Sequence, residues 1–401
     1  MTDGGIKMLD SIIKMDKEYY MNTFGDRLKV AFDRGEGVKL YSTDGEVYYD
    51  FLGGIAVNAL GHHHPAFVDA LKNQLDKVLH TSSLYYIENQ ARLAKYLCEN
   101  SCADKAFFCS TGAEANEGAI KLAKIYFYKQ QKEKYEIISF DKSFHGRTLA
   151  TVAATGQEKY QKPYRPLTPG FIQVEPNSIA AIKKAITDKT AAVLIELIQG
   201  ESGVYPMDKE FVRELRQLCD EKDILLIFDE VQTGMGRCGE FFAHQYYGVE
   251  PDIFTCAKAL GAGIPIGAIG AKDFVASAFS PGDHGTTFGG NPFSTAAGCA
   301  VFEIYKNENI LENVKNVSAF LMKKLGELKE KYPDKIVDLR GVGLLIGIEM
   351  REDIAKETFT RLFENKYLTS LCKNTIRIAP PLILKENEAQ GFVDALEKAI
   401  K

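Results

Sequence analysis

No run of about 18 apolar residues, the length a bilayer span demands, occurs in this 401-residue chain. Its first residues, MTDGGIKMLDSIIKMDKEYY, carry charges inside their apolar pattern, so they read as neither a membrane span nor a secretory signal. A cytoplasmic protein with no membrane partner is the expectation. Cys-x-x-Cys pairs are also missing. The eight cysteines, at positions 98, 102, 109, 219, 238, 256, 299 and 372, are scattered, as reduced and mostly buried thiols are. Basic charge is not in excess either. The formal net charge of -5 argues against nucleic acid as a partner.

The adjacent pair Gly-Lys occurs nowhere. Its absence removes the Gly-x-x-x-x-Gly-Lys-Ser/Thr loop that cradles a nucleoside triphosphate. A Gly-x-Gly-x-x-Gly fingerprint is likewise missing after the first strands, which sets aside a dinucleotide. The triplet His62, His63 and His64 suggests a metal, but adjacent histidines splay apart and no second cluster with zinc-like spacing follows. Internal repeats, low-complexity tracts and disordered linkers are lacking as well.

What is present is an apolar fraction of 45%, enough for a large core in two or three structural parts. Residues 37–52 hold two strand-like runs around Asp44-Gly45, a dipeptide that favours a tight hairpin. From about residue 60 to 300, short apolar strands alternate with amphipathic helices, as a mostly parallel sheet requires. Strands are expected at 106–109, 136–140, 191–195, 224–228, 253–256 and 264–269. Helices are expected at 113–129, 178–186, 209–221 and 296–307. Beyond residue 308 a charged helix, two strands and a last helix suggest a smaller α+β part. The reading is therefore an α/β protein: residues 1–55 and 308–401 in a small domain, 56–307 in a large one.

In such sheets ligands bind beyond the carboxyl ends of the strands. The segments there are STGAEAN, DKSFHGR, ELIQGE, DEVQTG and AKALG, all short, polar and glycine-bearing. The buried run Ile224 to Phe228 leads straight into Asp229 and Glu230, and burying an unpaired carboxylate is costly, so a cation is expected nearby. Read alone, that stretch suits the magnesium-holding strand of a nucleotide hydrolase, but the missing phosphate loop argues against one. Ser110, Thr111, Gly112 and Ala113 would place free N–H groups at a positive helix end, which suits a phosphate and equally an ordinary cap. Lys258 follows an apolar strand and precedes a glycine-rich stretch, where a desolvated amine can attack a carbonyl or simply form an ion pair. A phosphate, an aldehyde for a lysine and a ring nitrogen held protonated beside Asp229 together describe pyridoxal 5'-phosphate.

The motifs FHGRT, IQGE, FDEVQTGMGRCGEFFA, KALGAGIPIGA and TTFGGNP, in this order, resemble the class III pyridoxal-phosphate aminotransferases from about residue 25 to the C-terminus. The resemblance implies a fold-type-I transferase with a mostly parallel, seven-stranded type of sheet. It implies Lys258 as the cofactor-bonding lysine and proton shuttle, Asp229 at the pyridine nitrogen, Gln232 at the ring hydroxyl and Phe144 on the ring face. Thr111, Gly112 and Ala113 would hold the phosphate, with Thr287 contributed by the other subunit of a homodimer with shared sites. Thr286 beside it would meet substrate. Arg147 would take the carboxylate distant from the reacting nitrogen and Arg377 the α-carboxylate of glutamate, with Glu201 swinging onto Arg377 when the amine donor is bound. The stretches GIAVNALGHHHP, TSSLYYIENQARLAKYL and KLAK are most similar to members acting on N2-acetylornithine and 2-oxoglutarate. Members acting on ornithine, 4-aminobutyrate or succinylated amines are the alternative. Glu196-Leu197 departs from the usual Glu-Pro, and Ser110-Thr111-Gly112 from the usual Asn-Ser-Gly.

Overall fold

The computed structural model describes residues 3–401, so Met1 and Thr2 of the N-terminal stretch lie outside the described residues. A first helix, Asp3–Tyr19, leads into three antiparallel strands: β1 (Phe32–Glu36), β2 (Lys39–Ser42) and β3 (Val47–Asp50). The expected hairpin joins β2 to β3, with Gly45 at φ 89°, a left-handed position that glycine takes without steric cost.

The large sheet is built from β4 (Lys105–Cys109), β5 (Glu136–Phe140), β6 (Phe171–Val174), β7 (Thr190–Ile195), β8 (Leu225–Asp229), β9 (Ile253–Cys256) and β10 (Gly267–Ala271). Their spatial order is β4-β10-β9-β8-β7-β5-β6. The pairs β9/β8, β8/β7, β7/β5 and β5/β6 are parallel, while β10 runs antiparallel to both of its neighbours. The run 225–228 is apolar throughout because each face of the sheet is covered. Leu225 and Ile227 join the core shared with the helix Gly112–Lys129, and Leu226 and Phe228 the core on the opposite face.

One strand expectation needs correction, and one strand has no counterpart among the expected ones. The predicted strand 264–269 lies at 267–271 instead, and Ile264, Pro265 and Ile266 form a wall of the central cavity. The strand Phe171–Val174, whose residues are mostly half-buried at the sheet edge, escaped the sequence reading because it lacks a fully apolar run. The predicted helix 296–307 begins four residues earlier, at Pro292, with Asn291 capping the amides of Phe293 and Ser294.

Beyond the helix Ile310–Lys331 lie β11 (Ile336–Val342), β12 (Leu345–Met350), β13 (Tyr367–Leu368), β14 (Ser370–Cys372) and β15 (Thr375–Ile378). Four of them form a second, antiparallel sheet in the order β11-β12-β15-β14. β13 instead pairs in parallel with β3, so the two ends of the chain share one sheet. Helices Glu352–Glu364 and Glu386–Ile400 cover this part, the first of them unforeseen. Among the described residues no helix is long and apolar enough to cross a membrane.

Candidate active site

The loops at the carboxyl ends of β4, β5, β7, β8 and β9 enclose one cavity of about 490 Å³. Thr111, Gly112, Ala113, Phe144, Arg147, Glu201, Asp229, Gln232 and Lys258 all line it, although they span nearly 150 positions of sequence. Their convergence follows from the parallel sheet, which brings the ends of its strands to one edge.

At the first loop, Thr111 caps the helix Gly112–Lys129: its Oγ1 accepts from Glu114 N at 3.2 Å. The Glu114 carboxylate accepts in turn from Ser110 N at 2.7 Å. Thr111 is thus an ordinary cap, yet among the described residues no acceptor is placed for the amides of Gly112 and Ala113. Two free N–H groups therefore face the cavity at the positive end of an 18-residue helix. A Cβ on Gly112 would lie 2.6 Å from Val231 Cγ1, so only glycine lets the backbone sit there.

Asp229 ends β8, nearly buried at 4% exposure, and its carboxylate is fixed by three donors. Val231 N reaches Oδ1 at 3.0 Å, while Asn116 Nδ2 at 2.8 Å and His145 Nδ1 at 2.7 Å both meet Oδ2. Thr255 Oγ1 in turn donates to Asn116 Oδ1 at 2.7 Å. His145 and Asn116 were missed at the sequence level. In the sequence, neither His145, within FHGRT, nor Asn116, within STGAEAN, carries an assigned role. Gln232 Oε1 is buried without a partner, an orphaned acceptor that suits a ring hydroxyl. The room for its side chain exists because residue 200 is glycine, whose Cβ would fall 1.8 Å from that oxygen.

Glu230 turns away from the cavity. Fully buried, it accepts from the amides of Ala243 and His244 at the start of the helix Ala243–Tyr247, and its Oε1 lies 2.8 Å from His244 Nδ1. Burial alone would lower the His244 pKa, but its bonds to Cys102 and Glu230 prevail and raise it to about 10. The second carboxylate of the Asp229-Glu230 pair is structural.

Lys258 follows β9 with φ at 44°, an unusual backbone for a residue with a Cβ. Burial, and then the nearby Arg377 cation, lower its amine to about 8, against the opposing pull of Asp229, Glu196 and Glu201. Glu196 also lines the cavity and accepts from Phe144 N at 2.7 Å, anchoring the segment that carries the aromatic ring. Burial and then the Asp229 charge push its carboxyl well above the usual range. In the sequence it stands out only as part of Glu196-Leu197, a departure from the usual Glu-Pro.

Arg377, on β15, is 4% exposed and outside the cavity lining proper. Its Nη1 donates to Gly200 O at 2.9 Å and to Glu201 Oε2 at 3.2 Å, and its Nε to Ser370 Oγ at 3.0 Å. The expected pairing of Glu201 with Arg377 is present. Arg147 is exposed at the mouth, its guanidinium carbon 3.9 Å from the ring centroid of Tyr160. Thr286 and Thr287 are elsewhere in the chain's own surface: Thr286 lines a second cavity with Tyr86, Gln90 and His284, and Thr287 is exposed. His62 and His64 pair separately with Asp50 and Glu308, and no cluster able to hold a metal occurs among the described residues.

One amine of lowered basicity, a buried carboxylate on fixed donors, two free helix-end amides and an orphaned amide oxygen in one cavity fit pyridoxal phosphate, the cofactor of this protein. The family profile described as Aminotransferase class-III matches residues 20–400. The acetylornithine aminotransferase of Methanocaldococcus jannaschii is 48% identical over 395 residues, covering 96% of this chain and 97% of the relative. The crystal structure of acetylornithine aminotransferase from Elizabethkingia anophelis superposes with a TM-score of 0.87 at 32% identity, covering 98% of each chain. Ornithine aminotransferase from Toxoplasma gondii ME49 gives a TM-score of 0.93 at 29% identity, over 98% of this chain and 94% of that one. The chain belongs to the class-III aminotransferases.

Proposed function

We propose that this protein transaminates N2-acetyl-L-ornithine with 2-oxoglutarate, giving N-acetyl-L-glutamate 5-semialdehyde and L-glutamate, a step of arginine biosynthesis with ping-pong kinetics. The observation that carries this reading is the Glu201–Arg377 pair, 3.2 Å apart beside Lys258. An amine donor without a carboxylate on its reacting carbon needs a neutralised Arg377, whereas glutamate needs it free. The printed names of the relatives at 48% identity support the acylated donor.

Bound pyridoxal phosphate supplies an aldehyde that condenses with amines and a ring that withdraws electrons from the reacting carbon. Lys258 Nζ would serve as the base that takes the proton from that carbon and delivers it to the aldehyde-derived carbon of the cofactor. Asp229 would hold the ring nitrogen in its protonated form, Gln232 would meet the ring hydroxyl and Phe144 would cover the ring face. Thr111 and the amides of Gly112 and Ala113 would receive the phosphate. Arg147 binds the carboxylate distant from the reacting nitrogen in both half-reactions, and Arg377 binds the α-carboxylate of glutamate once Glu201 withdraws.

A homodimer with shared sites completes this reading: Thr286 and Thr287 of one copy would serve the other's cavity. Leu84, Tyr85, Tyr86 and Phe288 are all more than 60% exposed, and such aromatic and apolar residues mark a surface that a second copy would cover. The division into 1–55 and 308–401 around 56–307, and a cytoplasmic location, belong to the same reading. A panel of amine donors, each tested for its ability to bleach the cofactor band of the purified enzyme in a single half-reaction, tests the donor. Faster bleaching by ornithine or 4-aminobutyrate than by N2-acetylornithine would overturn the assignment.

A further inference from the structure

Tyr160 sits where the two arginines and the carboxylate switch meet. Its hydroxyl donates to Glu201 Oε1 at 3.4 Å, on the carboxylate whose other oxygen is 3.2 Å from Arg377 Nη1. Its ring lies 3.9 Å from the Arg147 guanidinium carbon and meets the Phe144 ring edge-on, with centroids 5.7 Å apart. The short helix that carries it, Glu158–Gln161, is tied to the backbone of Ser143, next to the cavity-lining Phe144, and of Thr155. The buried Gln161 amide donates to Thr155 O at 2.8 Å, and the Gln157 amide to Ser143 O at 3.1 Å. The hydroxyl is therefore placed by the fold.

We propose that Tyr160 is a specificity-determining residue: it secures Glu201 on Arg377 and so favours ligands that have no carboxylate next to the reacting carbon. Glu201 in its observed position has two donors, Arg377 and the Tyr160 hydroxyl. A ligand that needs Arg377 must displace Glu201 from both, and the lost bond is subtracted from its affinity. A ligand that binds only at Arg147 leaves the arrangement intact. The ring beneath Arg147 acts in both cases, since a cation over an aromatic face is held whichever ligand is bound. This inference rests on the reading of Glu201 and Arg377 as a switch.

Two unreactive acids of equal chain length separate the effects: glutarate, which engages both arginines, and valerate, which engages one. Their affinities for the holoenzyme are measured by calorimetry for the wild type, Tyr160→Phe and Glu201→Gln. Tyr160→Phe is expected to bind glutarate about three- to tenfold tighter, the worth of one hydrogen bond to a charged group at long range, with valerate unchanged. Glu201→Gln is expected to tighten glutarate at least as much. A structural role alone would weaken both acids together in Tyr160→Phe, and that result, or no change for glutarate while Glu201→Gln tightens it, overturns the role of Tyr160. Failure of Glu201→Gln to tighten glutarate overturns the switch itself, and this inference with it.

Discussion

His145 Nδ1 lies 2.7 Å from Asp229 Oδ2, and both side chains are almost wholly withdrawn from solvent. Together with Asn116 on the same oxygen, this contact fixes the direction in which the carboxylate faces the cavity. A buried carboxylate free to rotate would lose the geometry that makes it a good partner for a ring nitrogen. His145→Ala should therefore lower kcat by about 10- to 100-fold, in line with the loss of other orienting partners of a charged site. Asp229→Ala should lower it further, because the partner itself is gone. Steady-state rates at saturating cofactor check both, and an unchanged rate in His145→Ala would show that the contact does not orient the site.

Lys258 carries an amine whose pKa is lowered to about 8. The neutral amine is the nucleophile, so the rate at which apoenzyme captures the cofactor aldehyde should rise with pH through about 8 and level off above it. At pH 7 roughly a tenth of the amine is neutral, against about one part in a few thousand for an ordinary lysine. Stopped-flow absorbance during reconstitution measures this. Lys258→Ala should show neither the covalent cofactor band nor turnover.

Arg377 is held by the Gly200 carbonyl, Ser370 and Glu201, and it is buried. Arg377→Ala should raise the KM for 2-oxoglutarate by about 100-fold, the scale of losing one close charge pair with a ligand. The half-reaction with the acylated amine should change far less. Equal losses in both half-reactions would remove Arg377 from the recognition of glutamate.

Glu230 and His244 bear on stability rather than chemistry. The bonds of His244 to Cys102 and Glu230 raise its pKa to about 10, above the 6.5 of the unfolded chain. The stabilisation is thus fully present below pH 6.5 and is lost as pH rises toward 10. Glu230→Ala should cost about 3–5 kcal/mol in chemical denaturation at neutral pH, since it strands a buried cation and two amides at a helix start. In the variant, the alkaline loss of stability should shrink, the bond of His244 to Cys102 being what remains of it.

Much of this site is legible from local pattern. Lys258 and Asp229 stand at the ends of apolar strands, where a charge needs a reason, and the small residues 110–113 precede an amphipathic helix. Gln232, a turn residue by composition, acquires its orphaned oxygen only in the fold. His145 and Asn116 were illegible because their partner Asp229 is 84 and 113 residues away, and nothing local to either announces the contact. Tyr160 was missed for the same reason, its hydroxyl meeting Glu201 41 residues on. The half-buried edge strand Phe171–Val174 lacked the apolar run that betrays a central strand.

The sequence by itself determined the alternation of strands and helices, the polar loops between them, and hence the inventory of groups that a pyridoxal-phosphate site requires. Tertiary structure decided which of two neighbouring carboxylates faces the cavity: Asp229 completes the last pleat of β8, and Glu230 turns onto the helix at Ala243. It also decided that Arg377 is a buried, paired cation. Periodicity acts over a few residues and sets local geometry, whereas the partner of a buried charge depends on strand order, which only the assembled sheet supplies.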